Sequence, residues 1–394
     1  MAAEKQPPLK KDHHTHKRPP FECVALLLQG GGALGAYQAG VYEALSEADL
    51  QPDWVAGISI GAINAAIIAG NAPSERVARL RTFWEQITSR PFTAPFTEQI
   101  RSTLNGEMAH AFFNQLSAGM SLVSGAKGFF SPRVPGPFFE PHGSPMATSF
   151  YTTDALKSTL ESLIDFDRIN TDPIRLALGA VNVRSGNFTY FDTQTHQIGP
   201  EHVMASGALP PGFPAVEIEG EYFWDGGLVS NTPLQWVLQD SGARQDTLAF
   251  QVDLWSAHGE FPKDIGEVNA RQKEIQFSSR TRANTDHFKQ VQSLRAALCG
   301  LLSKLPPDLA ESKEARQLAE VADEKLYNIV HLIYRSKGYE HNSKDYEFSR
   351  ISMEEHWKAG YTDAVRSLRH PEIFDRPSSL DGIRIFDVNR ETAL

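Results

Sequence analysis

Residues 23–69 read CVALLLQGGGALGAYQAGVYEALSEADLQPDWVAGISIGAINAAIIA, and the fold class can be inferred from them. The stretch opens with an apolar run at 23–29, which is typical of a strand buried on both faces. Glycines follow, and the spacing then predicts a helix over 34–48, a strand over 53–57 and an apolar helix over 62–69. This order of elements predicts an α/β fold with a mainly parallel sheet covered by helices on both faces.

The same kind of pattern continues downstream and then changes. Further strands are predicted at 175–183, 186–192 and 247–253, with a hairpin at 216–224. Beyond these the sequence becomes charged and mostly helical, apart from one strand predicted at 327–334. The predicted division is a disordered tail at 1–20, an α/β domain at 21–255 and a mostly helical C-terminal extension at 256–394 packed on it.

The composition of the chain limits the kinds of molecule that it is expected to bind. The chain has 394 residues, of which 41% are hydrophobic, and this is enough apolar material for a sizeable core. Its formal net charge is -10 and no basic stripe stands out, so we expect no nucleic-acid partner. Negative charge also opposes binding to anionic membranes, so any contact with lipid has to be apolar. Cys23 and Cys299 match no metal-ligand spacing and are predicted to be buried thiols, which excludes a disulfide framework.

Targeting signals are not evident in the sequence. The first twenty residues are polar and contain no secretory signal peptide. The longest apolar stretch, at 62–69, is too short to span a bilayer. We therefore expect a cytoplasmic protein, and we leave open both transient contact with a membrane or lipid surface and the oligomeric state.

The turn Gly57-Ile58-Ser59-Ile60-Gly61 lies between a predicted strand and an apolar helix, which is the context of a nucleophile elbow. The nucleophilic serine of such an elbow sits on a tight turn, and side chains two residues away on either side would collide. Glycine at both flanking positions is therefore expected. The alternative is a glycine-rich helix start in which Ser59 is only the N-cap.

The run Gly30-Gly31-Gly32, with Gly35 three residues later, follows the first strand and opens a helix. One interpretation is a dinucleotide-binding fingerprint, but that motif needs an acidic residue where the second strand ends, and Ser59 follows that strand instead. The other interpretation is an oxyanion hole, in which the glycine N–H groups point at a developing negative charge. Because the carboxyl ends of neighbouring parallel strands meet at one edge, both loops can converge there.

Asp225 is the candidate general base for Ser59. It follows an apolar strand and precedes Gly226 and Gly227, so its carboxylate is expected on a tight turn. The alternative is an ordinary turn aspartate, which is the commonest use of Asp-Gly. A carboxylate can deprotonate serine directly if it is hydrogen-bonded to the hydroxyl in a water-poor site.

A Ser-Asp-His triad is the competing arrangement. His331, His341 and His356 follow Asp225 in the chain, but none lies on a glycine-flanked loop. His331 lies in an apolar strand and is predicted to be a core histidine, and His356 is predicted to be structural. The chain has neither a paired-histidine zinc motif nor a CxxC pair, so we predict no metal and no cofactor.

Residues 91–149 are rich in phenylalanine, proline and glycine, with little periodicity. A long irregular segment inside a compact domain is commonly a lid or a binding loop. Its aromatic side chains, Phe129 and Phe130 among them, would then cover an acyl chain. The alternative, that they complete the core, is left open.

Three motifs in this order resemble the patatin-like phospholipase family: the glycine run at 30–35, the elbow at 57–61 and Asp225-Gly226-Gly227. The stretches 205–214 and 231–233 also resemble that family, so the resemblance covers about 21–253. The segment after residue 256 is similar to an extension found on some bacterial patatin-like proteins. Gln29 departs from the family pattern, because some members have aspartate there.

The resemblance implies a three-layer α/β/α fold and hydrolysis of lipid acyl esters through an acyl-enzyme intermediate. It implies that Ser59 is the nucleophile and that Asp225 is the proton acceptor of a dyad without histidine. It further implies that N–H groups of Gly30, Gly31, Gly32 and Ile60 form the oxyanion hole. The expected activity is that of a serine carboxylic-ester hydrolase, with a catalytically silent binding protein on the same fold and a nucleotide-dependent enzyme as the alternatives.

Overall fold

The computed structural model describes residues 18–88, 123–239, 245–336, 344–378 and 382–388. The predicted tail lies outside the described residues as far as residue 17, and so does His341. The strands are β1 (Cys23–Leu28), β2 (Trp54–Ile58), β3 (Ser131–Pro132), β4 (Tyr151–Thr152), β5 (Arg175–Asn182), β6 (Phe188–Asp192), β7 (Val216–Ile218), β8 (Glu221–Asp225), β9 (Thr247–Asp253), β10 (Tyr327–Ile333) and β11 (Ile383–Phe386). The helices are α1 (Ala36–Glu47), α2 (Ile60–Ala69), α3 (Arg76–Ile87), α4 (Asp154–Leu163), α5 (Phe166–Thr171), α6 (Pro200–Ser206), α7 (Leu234–Gln239), α8 (Ile265–Leu302), α9 (Pro307–Ala310), α10 (Lys313–Val321) and α11 (Arg350–Leu368).

Within the described residues, one nine-stranded sheet has the order β11-β10-β9-β1-β2-β5-β8-β7, and β6 also pairs with β5. The strands from β11 to β5 are parallel, whereas β6 and β8 run antiparallel to β5. Leu28, the last residue of β1, is paired with Gly57 on β2 and Val252 on β9. The mainly parallel sheet predicted from the sequence is therefore confirmed, and the carboxyl ends of these strands share one edge.

Alternate residues of β1 enter two separate cores. Val24, Leu26 and Leu28 face a large apolar cluster that includes residues of α1, α2, α3, α4 and α11. The intervening side chains face a second cluster, to which α7 contributes Leu234 and α8 contributes Phe288. Helices thus cover both faces of the sheet, and the predicted α/β/α layering is confirmed.

The segment after residue 256 is mostly helical, and it also adds β10 and β11 to the sheet. Its last long helix, α11, packs against α1 at two glycines. A Cβ atom built at Gly40 would lie 1.9 Å from the carbonyl oxygen of Trp357, and one at Gly360 would lie 1.9 Å from that of Tyr37. The predicted domain boundary at 255/256 stays a prediction, and it separates the neighbouring strands β9 and β10. No helix in the described ranges is long and apolar enough to cross a membrane.

The aromatic segment 91–149 divides into two environments, and its first part, up to residue 122, lies outside the described residues. Phe129 and Phe130 are buried, and both pack against Phe213 and Phe348 with ring centroids 5.3 to 5.9 Å apart. These two side chains therefore belong to the core. The residues that follow, from 134 to 150, expose most of their large apolar side chains instead.

Candidate active site

The backbone at Ser59 is strained, as a nucleophile elbow requires. Ser59 joins β2 to α2 with φ 58° and ψ -123°, a conformation that a residue with a Cβ rarely adopts. A Cβ atom at Gly57 would lie 2.3 Å from the carbonyl oxygen of Gly61, and one at Gly61 would lie 2.3 Å from that of Leu28. Only glycine fits at either position. Any other residue type there would prevent this turn from forming.

A second serine holds the turn in place. The Ser59 N–H donates to Oγ of Ser206 at 3.0 Å, and the Ser206 hydroxyl donates to the carbonyl of Gly179 at 2.6 Å. Gly179 lies on β5, the strand next to β2, so this bridge ties the elbow to the sheet. Ser206 was noted only as part of the stretch 205–214 that resembles the family, and its contact with the elbow was missed because a serine at the end of a short helix does not indicate its distant partner.

The structure brings Asp225 to Ser59. β5 pairs with β2 through Gly179 and with β8 through Ala180, so the ends of β2 and β8 converge. The Asp225 side chain is 2% exposed and accepts the Gly227 N–H at 2.7 Å. Burial raises the pKa of Asp225 to about 6, and the hydrogen bonds from the Ser59 side chain and the Gly227 N–H oppose that shift. Gly226 allows the close approach, because a Cβ atom there would lie 2.6 Å from the carbonyl oxygen of Gly179.

The glycine run lies against the same serine. A Cβ atom at Gly30 would lie 3.0 Å from Cβ of Ser59. The Gly30 N–H points away, since it donates to the carbonyl of Asn231 at 3.4 Å. Among the described residues, the N–H groups of Gly31, Gly32 and Ile60 have no hydrogen-bond acceptor. Within this part of the chain, these three N–H groups are unengaged, whereas the Gly30 N–H is engaged.

Backbone from the C-terminal segment covers the outer side of this loop. The Ala33 N–H donates to the carbonyl of Asp345 at 2.8 Å. Gly32 has φ 55°, and a Cβ atom there would lie 2.1 Å from that same oxygen. The Asp345 carboxylate in turn pairs with Lys273 of α8, with both oxygens 3.0 Å from the ammonium nitrogen. Residues more than 300 positions away in the chain therefore set the position of the glycine loop.

Gln29 connects the loop to the other layer of the fold. Its side-chain oxygen accepts the N–H groups of Leu254 at 2.6 Å and Trp255 at 3.1 Å. Its side-chain nitrogen donates to Oγ1 of Thr232 at 3.1 Å and to the carbonyl of Phe277 at 3.2 Å. All four polar contacts come from segments far away in sequence. Gln29 was noticed only as a departure from a family pattern, and its position immediately after a buried strand was the one available indication of this role.

Gly35 serves the helix packing behind the site. A Cβ atom there would lie 2.6 Å from Cγ1 of Ile60 and 2.9 Å from Trp84. Its carbonyl accepts the side-chain amide of Asn64 at 3.0 Å. The residue thus lets the turn after the glycine run pack closely on α2, which carries Ile60 and its N–H group.

His331 and His356 lie elsewhere in the described structure. His331 is on β10, which β9 and β1 separate from β2, and its Nδ1 atom is 3.8 Å from Asp253. Burial lowers the pKa of His331 to about 4, so it is neutral at physiological pH. His356 lies on α11 with its ring 5.1 Å from that of Tyr334. The groups that lower the pKa of Asp225 against the effect of burial are the Ser59 side chain and the Gly227 N–H, and neither is a histidine.

Two other features lie away from Ser59. A cavity of about 260 Å³ is lined by the first residues of several parallel strands, Cys23 and Trp54 among them, and therefore lies at the opposite edge of the sheet. Burial raises the pKa of Cys23 to about 12, so its thiol is not a nucleophile. The described residues contain no group of three or more His, Cys, Asp or Glu side chains that could hold a metal ion.

Comparison with known families places the motifs inside one region. A family model described as "Patatin-like phospholipase" matches residues 26–237, and another, described as "Patatin phospholipase", matches residues 275–380. The lysophospholipase nte1 of Aspergillus terreus (strain NIH 2624 / FGSC A1156) is 46% identical over 68 residues. That match spans 17% of this chain and 4% of the fungal protein, so the chain covers a small part of that relative's length.

Two solved structures are similar over much of the chain. VipD from Legionella pneumophila is 16% identical with a TM-score of 0.37, over 94% of this chain and 72% of that chain. The complex of full-length SpcU with full-length ExoU from the type III secretion system of Pseudomonas aeruginosa gives a TM-score of 0.24 at 17% identity. That match covers 76% of this chain and 61% of the other.

Proposed function

The chain belongs to the patatin-like phospholipase family, and from this premise we propose that it hydrolyses lipid acyl esters with a Ser59–Asp225 dyad. The observation that supports the proposal best is that the Asp225 carboxylate is buried and that interaction with the Ser59 side chain partly offsets the rise in its pKa. Ser59 lies beside a glycine loop with N–H groups available for an oxyanion. A carboxylate in this position can accept the proton of the serine hydroxyl, which is the role of histidine in a triad.

The proposed acylation step uses Ser59, Asp225 and the N–H groups beside them. Asp225 takes the hydroxyl proton as Oγ of Ser59 attacks the ester carbonyl, and the carbonyl oxygen becomes an oxyanion. N–H groups of Gly31, Gly32 and Ile60 stabilise that charge, and Ile60 adds the positive end of α2. Loss of one such donor typically slows an enzyme about a hundredfold. The alcohol then leaves with the proton held by Asp225, and Ser59 carries the acyl group as an ester.

Deacylation reverses the roles. Water attacks the acyl-Ser59 ester while Asp225 takes its proton, and the same N–H groups hold the second oxyanion. The acid leaves and the Ser59 hydroxyl recovers its proton. The raised pKa of Asp225 suits this exchange, because a carboxylate with a pKa of about 6 is ionised at neutral pH yet binds protons more tightly than an exposed aspartate.

Ser59→Ala tests the nucleophile. We expect the variant to lose hydrolysis of p-nitrophenyl and glycerolipid esters and to keep its fold, since a small side chain replaces another. A fluorophosphonate probe should label the parent and not the variant, as mass spectrometry of the tryptic peptides would measure. His331→Gln and His356→Gln are the controls, and both should keep most of the activity. Unchanged labelling of Ser59→Ala, or a histidine variant that is folded and inactive, would contradict the dyad.

A further inference from the structure

Residues 133–150, here called the ribbon loop, connect the antiparallel strands β3 and β4, which pair Ser131 with Thr152. The loop presents large apolar side chains to solvent. Val134 is 93% exposed, Phe138 85% and Phe139 83%, and Met146 and Phe150 are also exposed. Isolated exposed apolar residues are ordinary in proteins, but a concentration of them within one loop marks an interaction surface.

Internal contacts hold the ribbon loop in shape. The Phe138 and Phe150 rings meet edge to face with centroids 5.9 Å apart. Nε of Arg133 donates to Oγ of Ser149 at 3.0 Å, and Oγ of Ser144 accepts the N–H of Met146. Phe139 and Val134 are therefore exposed in a loop that its own contacts hold in shape. The loop keeps this shape although apolar side chains remain in contact with water.

The ribbon loop is joined to the candidate active site through one turn, residues 208–213. The N–H groups of Phe150 and Tyr151 donate to carbonyls of this turn at 3.0 and 2.9 Å. At its other end, the carbonyl of Ala208 accepts the Asp225 N–H at 3.0 Å. Leu209, in the turn, and Leu228, three residues after Asp225, are exposed as well. Exposed apolar side chains thus occur in the turn that is hydrogen-bonded to Asp225 and shortly after Asp225 itself, as well as in the ribbon loop.

Charge indicates which surface this loop fits. Within the ribbon loop, Arg133, Glu140 and His142 are the only ionisable side chains, and the whole chain carries a formal charge of -10. Such a protein gains nothing from the negative potential of an anionic bilayer. Apolar insertion into an uncharged surface needs no such attraction.

We propose that the ribbon loop inserts Phe138 and Phe139 into the surface of zwitterionic phospholipid and so holds Ser59 at the lipid that supplies its ester. The proposal rests on the proposed function for the choice of lipid. It adds where the protein contacts the surface and which force holds it there. Salt should leave this binding unchanged, because no ion pair contributes to it.

The test is the double substitution Phe138→Ser with Phe139→Ser, studied by flotation with phosphatidylcholine vesicles. Removing both rings should weaken partition about tenfold or more. The matched control is Leu318→Ser with Val321→Ser on α10, whose side chains are also exposed. α10 leads into the first residue of β10, at the edge of the sheet opposite to Ser59, so the control should partition like the parent. Adding phosphatidylglycerol should not strengthen parental binding.

Hydrolysis of a water-soluble short-chain p-nitrophenyl ester separates this proposal from the proposed function. The Phe138/Phe139 variant should keep parental kcat/KM on that ester and lose turnover of vesicle lipid. A parent that is inactive on both substrates would contradict the proposed function, while the vesicle comparison would still test the loop. Equal partition of the parent and the variant, or binding that 0.5 M salt abolishes, would overturn the inference. Dimerisation through this loop would also overturn it. In that case the parent would be a dimer, whereas the Phe138/Phe139 variant would be a monomer that binds vesicles as well as the parent.

Discussion

The proposed role of Asp225 as a base uses the raised pKa that its burial produces, and that burial works against the stability of the fold. The pKa of its carboxyl rises from 3.8 to about 6 because of desolvation, despite the hydrogen bonds from Ser59 and Gly227. The folded protein therefore binds this proton more tightly than the unfolded chain does. Above pH 6 the ionised carboxylate lowers the free energy of unfolding by an amount on the order of 3 kcal/mol, and below about pH 4 the penalty disappears.

Asp225→Asn should separate these two effects. We expect kcat/KM of the parent to rise with pH and to reach half its plateau near pH 6, where Asp225 ionises. The asparagine variant should be inactive at every pH, yet have a higher Tm than the parent at pH 8. The difference in Tm should shrink as the pH is lowered towards 4, because the parental carboxylate is then protonated.

The matched control for this comparison is Asp375→Asn, which removes one carboxylate from an exposed position. Its Tm should follow the parent across the same range of pH. An Asp225→Asn variant that melts below the parent at pH 8, with a parental activity profile that is flat between pH 5 and 8, would contradict the assignment of Asp225 as a buried base.

At the scale of elements, the glycine loop is positioned by α8 and by the residues just before α11. Lys273 pairs with Asp345, and Glu274 pairs with Lys344 at 2.6 Å, so two consecutive residues of α8 clamp two consecutive residues of the covering segment. Burial opposes ionisation of Glu274, but hydrogen bonds and charge from Lys344 and Arg271 outweigh it and lower the pKa of this carboxyl. The clamp holds the Asp345 carbonyl against Gly32, next to the N–H groups proposed for the oxyanion.

Lys273→Ala should loosen this clamp. Small displacements of oxyanion donors slow catalysis, so we expect the kcat of Lys273→Ala to fall about tenfold with little change in KM. Lys273→Arg should keep most of the parental kcat. The measurement is steady-state hydrolysis of a soluble ester together with Tm. Lys263→Ala is the control, because Lys263 forms an exposed pair with Glu260. A loss of Tm without a change in kcat, or an equal loss in the control, would show that Lys273 does not position the loop.

At the scale of the whole molecule, the segment after residue 256 completes the sheet. All seven residues of β9 are buried, and β10 pairs with β9 along its whole length. α11 covers α1 on one face, and α8 adds Phe288 to the core on the other. Without these elements β9 would be an apolar edge strand with unpaired backbone groups, which promotes aggregation.

A chain ending at residue 255 should therefore be insoluble or unfolded, although it keeps Ser59 and Asp225. Soluble yield, circular dichroism and ester hydrolysis would measure this. Supplying residues 256–394 as a separate chain in the same cells should recover part of the soluble, active protein. A truncated chain that is monomeric, folded and fully active would instead establish the boundary at 255/256 as that of an independent domain.

Much of the fold could be predicted from the sequence because it depends on local rules. Apolar runs, helical periodicity and glycine positions indicate the strands, the helices and the tight turn at Ser59 from short windows of sequence. The rule that parallel strands end at one edge then predicts that the glycine run and the elbow converge. Ser59 and Asp225 with their flanking glycines, taken together with the glycine run at 30–35 and the family resemblance, were sufficient to propose the dyad.

Other features were decided only by the tertiary structure. The contacts of Ser206 with the elbow, of Gln29 with three distant segments and of Asp345 with Gly32 join positions that no local pattern relates. The aromatic segment contains equally apolar phenylalanines, yet Phe130 is in the core and Phe138 is in solvent. The sequence of a stretch gives the number and spacing of its apolar residues. Whether those residues are buried, and what they are hydrogen-bonded to, depends on which remote elements pack against the stretch. That information exists only once β10, α8 and α11 have assembled around β1.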